Sequence, residues 1–374
     1  FSRKIKFVSI VAVFLLINSS SSLESCSDVS MAAEEAKAAE KPVVKSTHSL
    51  TAKYLTDDVW AKYGAMKTKT TGASLSDCIA CAVEFDDQHV GCYAADEDCY
   101  LEFKDFFDPL ITDYHNIAEK KAAVKAGEVL HVSDMDSTHL KGNINEDVPV
   151  ISTRIRVGRN IKGYGLSPGI TKEQRLAVEE LMKEIFAKLE GDLAGTYYPL
   201  TGMEEGVRKQ LVDDHFLFKS GDRNLKAAGM ERDWPEGRGI FHNADKTFLV
   251  WVNEEDQLRI ISMQKGRDVV ACFERLARAI NAIEVLLKEK GKEFQFSGDY
   301  GFFHSCPSNL GTGMRASVHV PLPGFNKDKD ALKKRCEELG VQPRGIHGEA
   351  TKDDSGVFDI SNKYRLGYSE VQLA

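Results

Sequence analysis

Arginine residues recur in three segments of the sequence that alternate polar and apolar residues, as β-strands do. Arg154 and Arg156 are two positions apart, as are Arg315 and Ser317, so each pair shares one face of its strand. Arg259 lies in the third segment. Two guanidinium charges about 4 Å apart repel each other by about 4 kcal/mol at an effective dielectric of about 20, and a bound anion relieves that repulsion. The planar fork of arginine stays charged and binds phosphate oxygens in pairs. The pattern therefore predicts a binding site for a polyphosphate.

The familiar phosphate-binding loops do not account for such a site. The sequence contains no GxxxxGK[ST] motif, which excludes a Walker-type NTPase. Residues 311–316 match the dinucleotide-binding string GxGxx[GA], but residues 317–321 alternate like a strand where that motif requires a helix. We attribute the match to chance, so the arginines remain the predicted phosphate ligands.

The composition is that of a globular protein. The chain has 374 residues, which at roughly 150 residues per domain predicts two to three domains. Its 42% hydrophobic and 28% charged content argues against disorder and against a protein that spans a membrane several times. The net charge of −8 opposes binding to nucleic acid backbones. We therefore expect neither nucleic acid nor membrane as a partner, and we expect any anion site to be local.

Eight cysteines without a regular spacing indicate reduced thiols in a cytoplasmic protein. Cys78 and Cys81 form a single CxxC within a helix-like segment. No second ligand pair follows at metal spacing, so packing in the core is favoured over zinc or redox chemistry.

Residues 1–48 are expected to form a leader or a disordered tail. Basic residues precede an apolar run at 7–17 and a serine tract follows it, which is typical of a signal peptide. Met31 opens a stretch rich in Ala, Glu and Lys that resembles the start of an ordinary cytoplasmic protein, and we favour it as the true start. A targeted or secreted form stays open as the alternative.

Residues 49–135 have the pattern of a compact helical domain, and residues 136–374 alternate strands with long helices. Strands at 248–252 and 258–262 flank the acidic segment 253–256, a hairpin-type connection that makes part of the sheet antiparallel. The predicted fold class is α+β, with a small all-helical N-terminal domain followed by a larger domain that has a mainly antiparallel β-sheet flanked by helices.

Three long helices are predicted in the larger domain. Thr171 and Gln174 form a capping box that begins the first helix, and Gly191 ends it. The second helix is expected over residues 268–290 and the third over residues 328–339, each followed by glycine.

Residues 306–319 resemble the signature of the phosphagen (ATP:guanidino) kinases, and residues 253–256 with 258–265 resemble a second hallmark of that family. Similar agreement is found at 195–202, 213–219, 237–243 and 359–363. The resemblance extends from about Ser49 to the end of the chain, and the arginine-specific members are its nearest branch. Because family members continue past the segment that matches 369–374, we expect a shortened C-terminus.

The resemblance implies reversible transfer of the γ-phosphoryl group of ATP to a guanidino nitrogen, with Mg²⁺ bound together with ATP and held mainly by phosphates and water. No protein ligands for a metal are predicted. Five arginines would clamp the phosphates, and His215 and His319 would border the adenosine. The implied nucleotide contacts are Ser152, Thr153, Arg154, Ile155, Arg156, His215, Arg259, Arg315, Ala316, Ser317, Val318, His319, Arg344, Gly345, Ile346, His347, Gly348 and Glu349. His347 stands where the family usually has arginine.

A guanidinium is a poor nucleophile until it loses a proton, and a carboxylate that pairs with its N–H groups can orient it and accept that proton. We assign this role first to Glu255, at the hairpin tip, where the resemblance also places it, and second to Glu349. Cys306 matches the reactive cysteine of the family. Ser308 can donate a hydrogen bond to its thiolate, nearby arginines favour the anion, and the expected role is to position the guanidinium electrostatically.

The guanidino substrate is expected at residues 87–93, which align without gaps to the short loop of the arginine-specific members. The residues implied for substrate binding are Gln88, His89, Val90, Gly91, Tyr93, Glu255 and Cys306. Gln88 and His89 replace the usual Ser-Gly, and histidine tolerates glycine-type backbone angles poorly. Asp87 and Arg223 match a pair that joins the two domains on closure.

Arginine is the leading substrate and taurocyamine the next. A nucleotide-binding pseudoenzyme or a secreted ligand-binding protein is the rival interpretation. We expect a monomer, with a dimer as the alternative.

Overall fold

The computed structural model describes residues 40–214, 216–344 and 356–374. Its N-terminal part is helical and begins with seven helices, of which α1 to α3 are capped by Ser49, Thr56 and Ser74. Their bounds are α1 Leu50–Tyr54, α2 Asp57–Tyr63, α3 Leu75–Cys78, α4 Ala80–Glu84, α5 Glu97–Glu102, α6 Lys104–His115 and α7 Ala118–Ala123. Apolar side chains from these helices pack with Tyr300 and Phe303 from the later part of the chain, so the helical part rests on the residues that follow it.

A sheet of eight strands dominates the rest of the described chain, with the spatial order β2-β3-β4-β5-β1-β8-β10-β9 and antiparallel pairing throughout. Its strands are β1 Ser152–Arg159, β2 Gly195–Pro199, β3 Gly239–Asn243, β4 Phe248–Val252, β5 Leu258–Lys265, β8 Met314–Pro321, β9 Val341–Arg344 and β10 Val357–Asn362. β6 Phe296–Ser297 and β7 Gly301–Phe302 form a separate two-stranded ribbon.

Six helices accompany the sheet: α8 Lys172–Phe186, α9 Glu205–Asp213, α10 Arg223–Ala227, α11 Val269–Glu289, α12 Lys329–Glu338 and α13 Glu370–Leu373. The main core lies between one sheet face and helices α8 and α11, and it buries Ile155 and Val157 of β1 completely. A smaller cluster on the opposite face includes Trp251 and Ile261. The α+β fold class and the antiparallel hairpin between β4 and β5 are thereby confirmed.

Helix α8 is shorter than the sequence predicted. The capping box of Thr171 and Gln174 is present, but the helix ends at Phe186 instead of at Gly191. Gly191 has a φ of +62° and begins a separate 3₁₀ turn. Leu189 still packs in the main core, as expected for an apolar residue, although it lies beyond the end of the helix. The other two predicted helices, α11 and α12, match their expected bounds closely.

Within the described residues, no helix combines the length and apolarity needed to cross a membrane. Among the same residues, no group of three or more His, Cys, Asp and Glu side chains is placed to hold a metal ion. Residues 1–39, on which the predicted leader falls, lie outside the described residues.

Candidate active site

The register of β1 and β8 brings the predicted arginines together. Arg156 lies opposite Arg315, and Arg154 lies opposite Ser317. Because directly paired residues in an antiparallel sheet project from the same side, these side chains share one face. Arg259 on β5 is opposite Gly158 of β1, which places it on this face as well. We call this the arginine face of the sheet.

The arginine face continues across β10 to β9. His319 is opposite both Ser152 and Asp359, and its Nδ1 lies 3.0 Å from the Ser152 hydroxyl. Arg344 pairs with Asp359 from the other side. The Arg315 guanidinium donates a hydrogen bond of 2.7 Å to the Asp359 carboxylate. Asp359 is thus the one residue of β10 that neutralises part of this cationic surface directly.

Arg154 and Arg156 carry an electrostatic cost that the strand pattern alone does not reveal. Burial, followed by repulsion from Arg315, lowers the pKa of Arg154 to about 10. Burial, followed by repulsion from Arg259, lowers the pKa of Arg156 well below its ordinary value. The Arg154 guanidinium lies 5.6 Å from the centre of the Trp251 ring, a contact that attracts a cation without neutralising it. A polyanion on this face would remove the repulsion.

Arg259 is surrounded by the acidic hairpin that precedes it. Its guanidinium lies 3.1 Å from the Glu254 carboxylate, 2.5 Å from Glu255 and 3.7 Å from Asp256. Although burial opposes the charged form, these carboxylates raise the pKa of Arg259. Asn253 makes the turn possible, because it adopts a left-handed φ of +57° and its amide donates to the carbonyl of Gly237.

Glu255 is held by contacts to both of its carboxylate oxygens. Oε2 accepts from Arg259, and Oε1 accepts a hydrogen bond of 2.9 Å from the Asn309 amide. Its backbone carbonyl accepts from the Ser305 hydroxyl. Burial raises the pKa of Glu255 despite the opposing effect of Arg259. A raised pKa makes the carboxylate a better proton acceptor, which suits a general base.

Cys306 lies where the sequence placed it, with its Sγ 3.0 Å from the Ser308 hydroxyl. The expected thiolate is not supported in this arrangement. Burial, followed by the charge of Glu255, raises the pKa of the Cys306 thiol to about 12, although Ser308 opposes the shift. Burial and a neighbouring carboxylate thus oppose the anion that the nearby arginines were expected to favour.

The loop predicted to hold the guanidino substrate is fixed by its backbone. The Val90 carbonyl accepts hydrogen bonds from the backbone N–H and the hydroxyl of Thr51. Gly91 has a φ of +85°, and a Cβ there would lie 2.7 Å from the Ala82 side chain, so only glycine fits. Burial, followed by the charges of Cys306 and Glu255, raises the pKa of Tyr93.

The two unusual residues of this loop are accommodated without strain. Gln88 is buried and its amide donates to the Asp87 carboxylate at 3.3 Å. His89 is exposed and is not among the residues of positive φ, so the glycine-type conformation that we expected there does not occur. Its ring lies 6.1 Å from that of Tyr114. The Asp87 carboxylate also forms an ion pair with Arg223, as the sequence predicted for the closure pair.

Several predicted nucleotide contacts do not project from the arginine face. The side chains of Thr153 and Ile155 on β1 and of Ala316 and Val318 on β8 point to the opposite face, since they alternate with the arginines. Only their backbone atoms are available to a ligand on the arginine face. Six further positions lie outside the described residues: His215, Gly345, Ile346, His347, Gly348 and Glu349.

Two residues of this site were missed in the sequence. Asn309 holds Glu255, as described above, and its position within 306–319 was the available signal. Arg365 is buried and lines the same narrow cavity as Arg156, Arg259 and Arg315. Its guanidinium donates to the Ser308 carbonyl at 2.6 Å and to the Met314 carbonyl at 3.0 Å. No alternating pattern flags Arg365, because it follows β10 in an irregular segment.

The chain matches two models of known protein families. The model described as "ATP:guanido phosphotransferase, C-terminal catalytic domain" covers residues 177–374, and "ATP:guanido phosphotransferase, N-terminal domain" covers residues 45–112.

Curated relatives include an arginine kinase from Anthopleura japonica, 52% identical over 88% of this chain and 45% of that protein. An arginine kinase from Limulus polyphemus is 46% identical over 87% of this chain and 88% of that protein. A taurocyamine kinase from Schistosoma mansoni is 44% identical over 87% of this chain and 42% of that protein. The chain thus spans less than half the length of two of these relatives and most of the other.

Solved structures agree with this assignment. The crystal structure of a lombricine kinase superposes with a TM-score of 0.80 at 38% identity, covering 89% of both chains. The substrate-free duplicated taurocyamine kinase from Schistosoma mansoni superposes with a TM-score of 0.76 at 43% identity, covering 87% of this chain and 45% of the other. On sequence and fold alike, the chain belongs to the ATP:guanido phosphotransferase family.

Proposed function

We propose that this protein reversibly transfers the γ-phosphoryl group of ATP to the guanidino nitrogen of arginine, which yields phosphoarginine and ADP. The observation that carries the proposal is the placement of Arg156, Arg259 and Arg315 on one face, with the Glu255 carboxylate paired to Arg259. Fixed positive charge and alignment of donor with acceptor are what phosphoryl transfer requires from a protein.

The arginine face would bind the phosphates of the nucleotide. Arg154 and Arg156 lose hydration and repel their neighbours in the ligand-free chain, so an incoming triphosphate gains more from them than from solvated side chains. His319, hydrogen-bonded to Ser152, lies farther along the same face and would border the adenosine. Mg²⁺ would arrive with ATP and be held by phosphate oxygens and water.

Glu255 would act on the acceptor. A guanidinium N–H proton passes to the carboxylate, and the freed nitrogen lone pair forms a bond to the γ-phosphorus as the bond to the bridging oxygen of ADP breaks. Both carboxylate oxygens already accept hydrogen bonds, from Arg259 and from Asn309. Each carboxylate oxygen can accept a further hydrogen bond, so the substrate guanidinium can pair with Glu255 while Arg259 and Asn309 hold the carboxylate in place.

The identity of the substrate rests on residues 87–93 and on the named relatives. The short loop leaves room for a substrate with an α-amino acid end, as arginine has, which agrees with the arginine kinases of 46–52% identity. Taurocyamine is the second candidate, because Gln88 and His89 depart from the usual Ser-Gly and a taurocyamine kinase is 44% identical.

A substrate panel tests the proposal. ADP formation with MgATP is measured for arginine, taurocyamine, creatine, glycocyamine and lombricine, and the phosphorylated product is identified by ³¹P NMR. Arginine is expected to give the highest kcat/KM. A higher value for taurocyamine would replace the substrate but keep the reaction. Retained ADP binding with no phosphorylated guanidine from any of the five would favour the pseudoenzyme instead.

Glu255→Gln tests the assignment of the base. Removing a positioned charged partner costs about 3 to 4 kcal/mol in the transition state, so kcat should fall by about two orders of magnitude or more. The ATP dissociation constant should change little. Glu146→Gln is the matched control, since Glu146 is exposed and pairs with Arg267 at the surface. Near-normal turnover in Glu255→Gln would refute the role.

We also infer that the protein works as a monomer in the cytoplasm. The scattered cysteines of the sequence support that compartment, and the candidate site is assembled from one chain. Light scattering after size-exclusion chromatography distinguishes a monomer from a dimer.

A further inference from the structure

The two cysteines of the CxxC motif make different contacts. The Cys78 sulfur lies 3.6 Å from the sulfur of Cys99, whereas the Cys81 sulfur approaches the backbone carbonyl of Asn224 at 3.2 Å. Cys78 ends helix α3, and Cys99 lies in the first turn of α5. Both side chains are fully buried. The pair that is close in space is therefore 78 with 99, not 78 with 81.

This pair brackets the predicted substrate loop. The loop, residues 87–93, lies between the two cysteines in the chain, and the Tyr93 N–H donates a hydrogen bond of 2.8 Å to the Cys78 carbonyl. The Cys99 N–H is bonded to the Asp96 carboxylate that caps α5. A covalent link between the sulfurs would tie together both ends of the segment that carries the loop.

We propose that Cys78 and Cys99 form a redox modification site, which a peroxide converts into a disulfide joining α3 to α5. The sulfurs must approach from 3.6 Å to the bonding distance of about 2.05 Å. Helix α3 has four residues and α5 has six, so only one or two turns need to move. The site does not depend on the identity of the guanidino substrate.

The chemistry balances with hydrogen peroxide as the oxidant. Peroxide oxidises one thiol to a sulfenic acid as its O–O bond breaks and the first water leaves. The second sulfur then attacks the sulfenic sulfur, so that the S–S bond forms, the S–O bond breaks and a second water carries away the remaining thiol proton. Two electrons pass from the pair of thiols to the peroxide.

The reaction is expected to be slow in the folded protein. The hydrogen bond with Cys78, followed by burial, raises the pKa of Cys99, so little thiolate is present at neutral pH. Peroxide reaches the pair when one of the short helices opens locally. Closure of the loop should then raise the melting temperature, by about 3 °C or more.

Peptide mapping tests the site on the full chain. The protein is treated with hydrogen peroxide, its free thiols are blocked, and it is digested without reduction. A tryptic fragment would hold four cysteines, because no Lys or Arg lies between residues 70 and 103. Cleavage before aspartate places Cys78 and Cys81 in residues 77–85 and Cys99 in residues 98–104, apart from the peptide 87–95 that holds Cys92. We expect these two peptides to be linked through Cys78 and released by dithiothreitol.

Two variants provide the contrast. Cys78→Ser should abolish the linked peptide, and Cys81→Ser, which alters the same peptide at a residue equally buried, should retain it. Cys99→Ala is a second disruption in case Cys78→Ser folds poorly. A link that persists in Cys78→Ser, or wild-type protein in which Cys306 is oxidised and 78 and 99 stay unlinked, would overturn the proposal.

The effect of the disulfide on the loop is measured with oxidation at other cysteines held equal. Wild-type protein and Cys99→Ala receive identical peroxide treatment, so that both carry any oxidation of Cys306. The wild type alone should show the rise in melting temperature and a change in the KM for arginine, both reversed by dithiothreitol. Equal melting temperatures in the two oxidised proteins would contradict the linkage of α3 to α5.

Discussion

The two faces of strand β1 make opposite contributions to stability, because one is fully buried and apolar and the other is half-buried and cationic. On one face Ile155 and Val157 are completely enclosed in the core beneath α8 and α11, where removal of apolar surface from water stabilises the fold by about 25 cal/mol per Å². On the other face Arg154 and Arg156 lose hydration and repel other arginines, which lowers the pKa of both. The apolar face thus stabilises a strand whose charged face costs free energy until a ligand arrives.

The same contrast explains why arginine serves on the charged face. His115 and His131 are buried more completely than these arginines, and burial lowers the pKa of His115 to about 3 and that of His131 to about 4. A buried histidine therefore avoids the penalty by remaining neutral. Arginine keeps its charge under the same conditions, because even the lowered pKa of Arg154, about 10, lies far above neutral pH. Substitutions on the charged face, on the apolar face and at the buried histidines should therefore have different effects on activity and stability.

Replacing a charged residue of the arginine face should destroy activity while stabilising the fold. In Arg156→Met, kcat/KM should fall by about two orders of magnitude, since a preorganised cation is lost from the transition state. The melting temperature should rise, because a desolvated charge without a ligand is replaced by an apolar side chain. Arg267→Met, a change at a surface arginine, is the control and should alter neither. A fall in the melting temperature of Arg156→Met would show that the charged face does not cost free energy.

Truncating the apolar face should do the reverse. Ile155→Ala removes a fully buried side chain and should lower the free energy of unfolding by about 2 to 5 kcal/mol. Turnover per folded molecule should stay close to that of the wild type. Ile151→Ala is the matched control, because Ile151 precedes the same strand and is 50% exposed. Denaturation in urea provides the measurement, and equal losses in the two variants would contradict the argument.

The buried histidines predict a loss of stability in acid. The pKa of His131 is about 4 when folded against about 6.5 when unfolded, so the unfolded state binds more protons as the pH falls from about 6.5 towards 4. At pH 5 this difference destabilises the fold by about 2 kcal/mol relative to pH 7. His131→Phe should reduce the pH dependence of unfolding, whereas His139→Gln should not, because Asp134 raises the pKa of that exposed histidine.

The smallest effect is expected at the exposed pair of Asp87 and Arg223. These side chains are 56% and 53% exposed, and an ion pair in such a setting adds little to stability. Asp87→Asn should leave the melting temperature unchanged. If the pair acts in closure over bound substrates, KM for the guanidine should rise, and the rise should shrink in high salt. Unchanged KM at low salt would restrict the pair to a surface contact.

Much of this fold and site follows from local patterns. The alternation of side chains along a strand placed Arg154 and Ile155 on opposite faces. The hairpin at 253–256 placed Glu255 beside Arg259. The capping box of Thr171 and Gln174 located the beginning of α8 correctly. Such patterns depend on neighbours within a few positions, which any fold of these segments preserves. The predicted end of α8 was wrong because the end of that helix depends on how the following turn packs and not on nearby residue types alone.

The sequence alone determined which residues share a strand face and that an acidic hairpin lies next to the arginines. The tertiary structure decided the rest: that Arg156 stands opposite Arg315, that Arg365 lines their cavity, that burial raises the pKa of Cys306, and that Cys78 meets Cys99. Register, burial and charge proximity arise between segments far apart in the chain. No local spacing encodes them, because they depend on which distant strand or helix packs beside each residue.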